Sequence, residues 1–185
     1  MVKVESEMVA RSQRALRDGI AVVLAAALLA FLVRAFLLEP FVVHGISMQN
    51  TLQNHERVLV EKLSPRFIPL HYGEIVVFQP PLAGQGDYIK RVIATGGQTV
   101  SMVEGQVYVD GRKMPQAFLV RGGVTTMDHY TMPAFKVPAG DIFVLGDHRD
   151  VSDDSRLFGP VKLAAVQGVA FWAIWPLQNF GPIAQ

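Results

Sequence analysis

Twenty residues from Gly19 to Leu38, GIAVVLAAALLAFLVRAFLL, carry a single charge, at Arg34. At about 1.5 Å of rise per residue such a helix spans roughly 30 Å, the thickness of a bilayer's hydrocarbon core. The charge-free part, Gly19 to Val33, reaches only about 22 Å. Arg34 lies near the far end, where its long stem can carry the charge out to the headgroups. Three structures fit: a permanent anchor, a cleaved leader, or a helix buried in a soluble core. A leader needs small residues at a cleavage site soon after the run. Here Glu39-Pro40-Phe41-Val42-Val43 follows, bulky and β-like, which favours the anchor. Lys3, Arg11, Arg14 and Arg17 precede the run, whereas the twenty residues after Leu38 hold only Arg57. Positive flanks stay inside. The expected organisation is a cytoplasmic segment 1–18, a transmembrane anchor 19–38, and an extracytoplasmic domain 39–185.

Composition narrows what that domain can do. With 50% hydrophobic and 18% charged residues, the chain has enough apolar side chains for a core and is not disordered. A formal charge of +1 gives no electrostatic footprint for nucleic acid. No cysteine is present, so thiol nucleophiles and disulfides are excluded. Chemistry falls to hydroxyls, carboxylates, histidines and amines.

After residue 41 the pattern is β. Arg57–Lys62 alternates polar and apolar residues, and Glu74–Phe78 is a short apolar run closed by Pro80-Pro81. Gln106–Val109 leads into Asp110-Gly111, a hairpin signal. Tyr88–Ala94, Phe135–Val137, Ile142–Leu145 and Val166–Ile174 are further strand candidates. Sixteen glycines and eleven prolines punctuate these runs, and no helix-length amphipathic pattern appears among them. The expected fold is mainly β: a Gly-rich, coiled, barrel-like sheet, with a small β subdomain over 97–140. Phe171, Trp172, Ile174 and Trp175 cluster near the C-terminus and suit either a core or the interface with membrane lipid.

Alternation in Tyr88–Ile93 puts Tyr88, Lys90 and Val92 on one face and Ile89, Arg91 and Ile93 on the other. Taken alone, the segment reads as an edge strand with two solvated cations. If the strand is interior instead, Arg91 needs a carboxylate, while a desolvated Lys90 can shed its proton and act as a base. Ser47, in Gly45-Ile46-Ser47-Met48-Gln49-Asn50-Thr51-Leu52, is a candidate nucleophile or an ordinary loop serine. Gly146-Asp147-His148-Arg149-Asp150-Val151-Ser152-Asp153-Asp154-Ser155-Arg156 is either a charge-pairing cluster or a solvated acidic loop.

Together, in this order behind an anchor, these segments resemble the type I signal peptidases, membrane-anchored Ser-Lys proteases. The resemblance spans nearly the whole chain: Glu39-Pro40-Phe41 at the membrane exit, the serine segment, Arg57–Lys62, Gly86–Ile93 and Gly146–Arg156. It implies that Ser47 is the nucleophile and Lys90 the general base, with Ser152 orienting the amine. It further implies that Asp147 pairs with Arg91 and Asp154 with Arg156, and that Phe41, Val43, Met48, Leu52, Tyr88 and Ile89 form substrate pockets. Exported preproteins bearing signal peptides are the implied substrates, and neither cofactor nor metal is implied. The sequence departs from the family pattern at Asn50, usually proline; at His148, commonly asparagine; and at Gly45, serine in some relatives.

Other chemistries find less in the sequence. Ser47 is not in a G-x-S-x-G elbow and no H-E-x-x-H is present. His148-Arg149-Asp150 echoes a kinase loop without the other kinase segments. A specialised Ser-Lys peptidase of the conjugation-pilus type remains open, as does a catalytically silent anchored β module. A self-cleaving repressor lacks a DNA-binding head.

Overall fold

The computed structural model describes residues 2–49, 51–81, 84, 86–121, 124–125 and 129–184. It divides into two compact units, Met1–Leu38 and Glu39–Gln185. The first is α1, Val2–Phe36. Among the described residues this is the one helix long and apolar enough to cross a membrane, over Leu16–Val33 with mean hydropathy 2.2. The helix stops short of the sequence-based boundary at Leu38. Pro40 cannot donate to a helical ladder and disfavours helical geometry in the residue before it, so residues 38–42 are extended instead.

The second unit is mainly β. Its main sheet uses β1 (Leu38–Val42), β2 (Arg57–Glu61), β3 (Ile75–Phe78) and β4 (Tyr88–Thr95). Next come β5 (Thr99–Val103), β6 (Gln106–Val109) and β7 (Arg112–Lys113), then the short hairpin β8 (Val120–Arg121) and β9 (Val124–Thr125). β10 (Met132–Lys136), β11 (Asp141–Leu145), β12 (Val161–Lys162), β13 (Val166–Trp175) and β14 (Gly181–Pro182) complete the set. The main sheet has the order β1-β2-β13-β3-β4-β11-β12, with β14 on β13, and its pairs are antiparallel where their register is defined. Bulges in the β2–β13, β13–β3 and β4–β11 ladders increase its local twist, and it curls into a half-barrel. A second sheet, β10-β5-β6-β7, lies within the 97–140 span. Asp110 and Gly111 both adopt positive φ, 49° and 77°, the conformation a tight two-residue hairpin requires.

The core explains why β4 is interior. Val58, Val60, Ile75, Val77, Ile89 and Ala170 form one buried cluster, and Val76, Phe78, Val92, Ile142 and Val144 form another. With β3 on one side and β11 on the other, β4 is not an edge strand. The solvated-edge expectation for Lys90 and Arg91 is therefore corrected: they are 4% and 0% exposed. Local alternation could not reveal this, because the covering strands lie elsewhere in the chain.

Candidate active site

Lys90, on central β4, reaches Ser47, in the loop between β1 and β2. Lys90 Nζ and Ser47 Oγ are 2.6 Å apart. Burial pushes the Lys90 amine down from 10.5 to about 8, with Asp154, Asp153 and Asp147 opposing the shift. Its Nζ also lies 5.1 Å from the centroid of the Tyr88 ring. When charged, the amine donates to Ser47 Oγ; once it has lost a proton, its lone pair can accept from the Ser47 hydroxyl. A nucleophile–base pair needs this contact and a base titrating near neutrality.

Three chain segments hold the pair. The Ser47 carbonyl accepts from the His148 backbone N–H at 2.9 Å, tying the serine loop to the segment after β11. Arg91 turns away from Lys90 and spends its five donors completely. Its Nε and Nη2 bind Asp147 at 2.9 and 2.7 Å, Nη2 also donates to Thr51 Oγ1 at 3.1 Å, and Nη1 donates to the carbonyls of Gly73 and Ala184 at 2.6 and 3.2 Å. The Phe118 ring lies 4.0 Å from the guanidinium carbon. A buried arginine cannot neutralise itself, so this full set of acceptors is what makes its position tolerable. Asp154 binds Arg156 Nε and Nη2, both at 2.9 Å, and accepts from the Gly146 N–H at 3.1 Å.

Beside the pair opens a cleft of about 790 Å³ lined by Phe41, Ser47, Tyr88, Ile89 and Lys90, among others. Val43, Met48 and Leu52, also expected as pocket residues, are 1% exposed and share the core cluster with Ile89. Apolar residues in a loop next to a site give the same sequence signal whether they face substrate or core. Ser152 also departs from expectation. Its Oγ is buried without a hydrogen-bond partner, so the bond to Lys90 is not formed. The hydroxyl is packed against Gly146, where an added Cβ would collide with it and with the Ser47 carbonyl. Asn50 lies outside the described residues. Sequence reasoning missed Thr51, Gly73, Phe118 and Ala184 as Arg91 partners; only the need of a buried arginine for several acceptors hinted at them.

The family model described as signal peptidase, peptidase S26, matches residues 16–175. The protein named "Probable signal peptidase I-1" of Synechocystis sp. is 36% identical over 91% of this chain and 87% of its own length. A signal peptidase I of Bacillus caldolyticus is 35% identical over 80% of this chain and 85% of its own. A solved signal peptidase I from Enterococcus faecalis V583 is 34% identical, covering 55% of this chain and 96% of that one with a TM-score of 0.47. The family model and the two sequence relatives define the class, a hydrolase of the serine endopeptidase type. The chain belongs to the signal peptidase S26 family, whose members are membrane-associated.

Proposed function

We propose that this protein removes N-terminal signal peptides from exported preproteins through a Ser47–Lys90 dyad. The observation that carries the reading is the 2.6 Å contact between Ser47 Oγ and a buried lysine amine. Neutral Lys90 takes the Ser47 proton as Oγ attacks the scissile carbonyl carbon, and the backbone N–H of Ser47 helps hold the oxyanion. Collapse breaks the C–N bond, and the Lys90 ammonium protonates the departing amine. The signal peptide is left as an ester on Ser47. Lys90 then takes a proton from water as that water attacks the ester, and the signal peptide leaves with Ser47 reprotonated.

Asp147 with Arg91, and Asp154 with Arg156, position the strand and loop that carry this chemistry. Substrate lies extended in the cleft against Phe41, Tyr88 and Ile89, where small side chains fit shallow apolar walls. Residues 19–38 anchor the chain with its N-terminus cytoplasmic and the catalytic unit outside. Exposed Trp175, Leu177 and Phe180 rest on membrane lipid. The test is cleavage of a purified preprotein by wild type, Ser47→Ala and Lys90→Ala, with product masses measured. Cleavage after a signal sequence by wild type alone is expected; undiminished cleavage by either variant refutes the dyad.

A further inference from the structure

The loop carrying Ser47 leaves and re-enters the main sheet at a narrow neck. There the Val43 N–H donates to the Glu56 carbonyl and the His55 N–H to the Val43 carbonyl, both at 2.8 Å. The Gly45 N–H is tied across the same neck to Asn54 Oδ1 at 2.9 Å. His44 and His55 stand side by side on these paired segments, ring centroids 6.0 Å apart and planes at 89°. Both are exposed, and His44 lines the cleft that holds Ser47 and Lys90. His55 keeps a left-handed backbone, φ 65°, a conformation uncommon outside glycine, asparagine, aspartate and histidine. Neither imidazole has a part in the mechanism above.

Two imidazoles held by paired backbone suit a late first-row divalent cation, which neutral ring nitrogens bind at about 2.0–2.1 Å. Each ring centroid lies about 1.2 Å beyond its nitrogen, so two rings on one tetrahedral ion have centroids roughly 5 Å apart, and about 6.4 Å at most. The observed spacing is within that limit, and small rotations of two exposed side chains bring it to the tetrahedral value. Asp87 and Asp153, exposed carboxylates in the cleft lining, make its mouth favourable to a cation. Among the described residues no three His, Cys, Asp or Glu side chains gather around a common point. An ion here therefore keeps water in its remaining positions and exchanges freely, unlike a closed structural site.

We propose that His44 and His55 form a two-histidine site for a divalent transition cation of the zinc type, and that the bound ion obstructs the cleft. The obstruction rests on the reading of that cleft as the peptidase site; the binding does not. The experiment titrates untagged, full-length protein in detergent with Zn²⁺ alone by calorimetry, comparing wild type with His55→Asn and His44→Gln. Asparagine tolerates the left-handed backbone at position 55, and thermal melts confirm that each variant is folded. One saturable site is expected in wild type, weakened at least about tenfold in either variant. Zn²⁺ should raise the KM for preprotein in wild type but not in His55→Asn, whose metal-free activity is unchanged. Absence of a saturable site, or equal binding in His55→Asn, overturns the proposal. Zinc binding without a change in KM overturns the obstruction. If Ser47→Ala still cleaves, the peptidase reading fails while the calorimetry stands on its own.

Discussion

Ser47 and Lys90 are separated by 43 positions and meet through one 2.6 Å contact. Lys90→Arg should lower turnover by several orders of magnitude, because guanidinium does not deprotonate and cannot serve as a base. Product masses from a fixed preprotein would check this. The pH profile follows from the amine's pKa of about 8. Cleavage should rise through pH 8, falling about tenfold for each unit below that value as the amine becomes charged. The same shift costs stability. The folded chain releases the Lys90 proton near 8 and the unfolded chain near 10.5, so between these values the unfolded state holds more protons and stability rises with pH. Below pH 8 the cost is fully present, of order 3 kcal/mol. Lys90→Met should therefore abolish cleavage yet raise the midpoint of urea unfolding at pH 7. The proposed pair came from the resemblance of the serine and lysine segments to the type I signal peptidases; read alone, Ser47 suited an ordinary loop and Lys90 a solvated edge. The absent Ser152 bond was not legible, since it depends on where one hydroxyl packs against Gly146.

At the scale of elements, β4 presents its two cations to different surroundings: Lys90 to the cleft, Arg91 to acceptors from four other segments. Asp147→Ala removes two of those acceptors and leaves a fully buried guanidinium short of its charge partner. It should destabilise by about 3–5 kcal/mol, measured by denaturant unfolding. The chemically milder Thr51→Val removes one neutral acceptor and should cost about 1–3 kcal/mol. Most of the named strands were readable to within a residue or two from apolar runs and from turn residues such as Asp110-Gly111, but Phe135–Val137 missed the first three residues of β10, and β5 was not named. Their neighbours were not readable. Alternation in Tyr88–Ile93 states which side chains share a face, but only the pairing of β4 with β3 and β11 makes both faces interior. Nor does the hydrophobicity of Val43, Met48 and Leu52 say how deeply each is packed: all three are 1% exposed.

For the whole molecule, the division at Leu38 and Glu39 means that the second unit holds its own core clusters and the proposed dyad. A chain beginning at Glu39 should fold and bind anionic liposomes through Trp175, Leu177 and Phe180, which are 53%, 70% and 59% exposed. Trp175→Ala should weaken sedimentation with liposomes while leaving the thermal midpoint within about 2 °C, as expected for an exposed side chain. A Trp175→Ala chain that simply unfolds would place the aromatic group in the core. The long-range ties around the site also set an order of events in time. Ser47 is made early, but its base follows 43 residues later, the His148 N–H that holds its carbonyl comes later still, and the Ala184 carbonyl on Arg91 arrives near the end of the chain. During synthesis the proposed nucleophile is therefore made long before the groups that would arm it. Nascent chains arrested before residue 148 should bind no serine-directed probe, and chains extended past residue 184 should bind it fully.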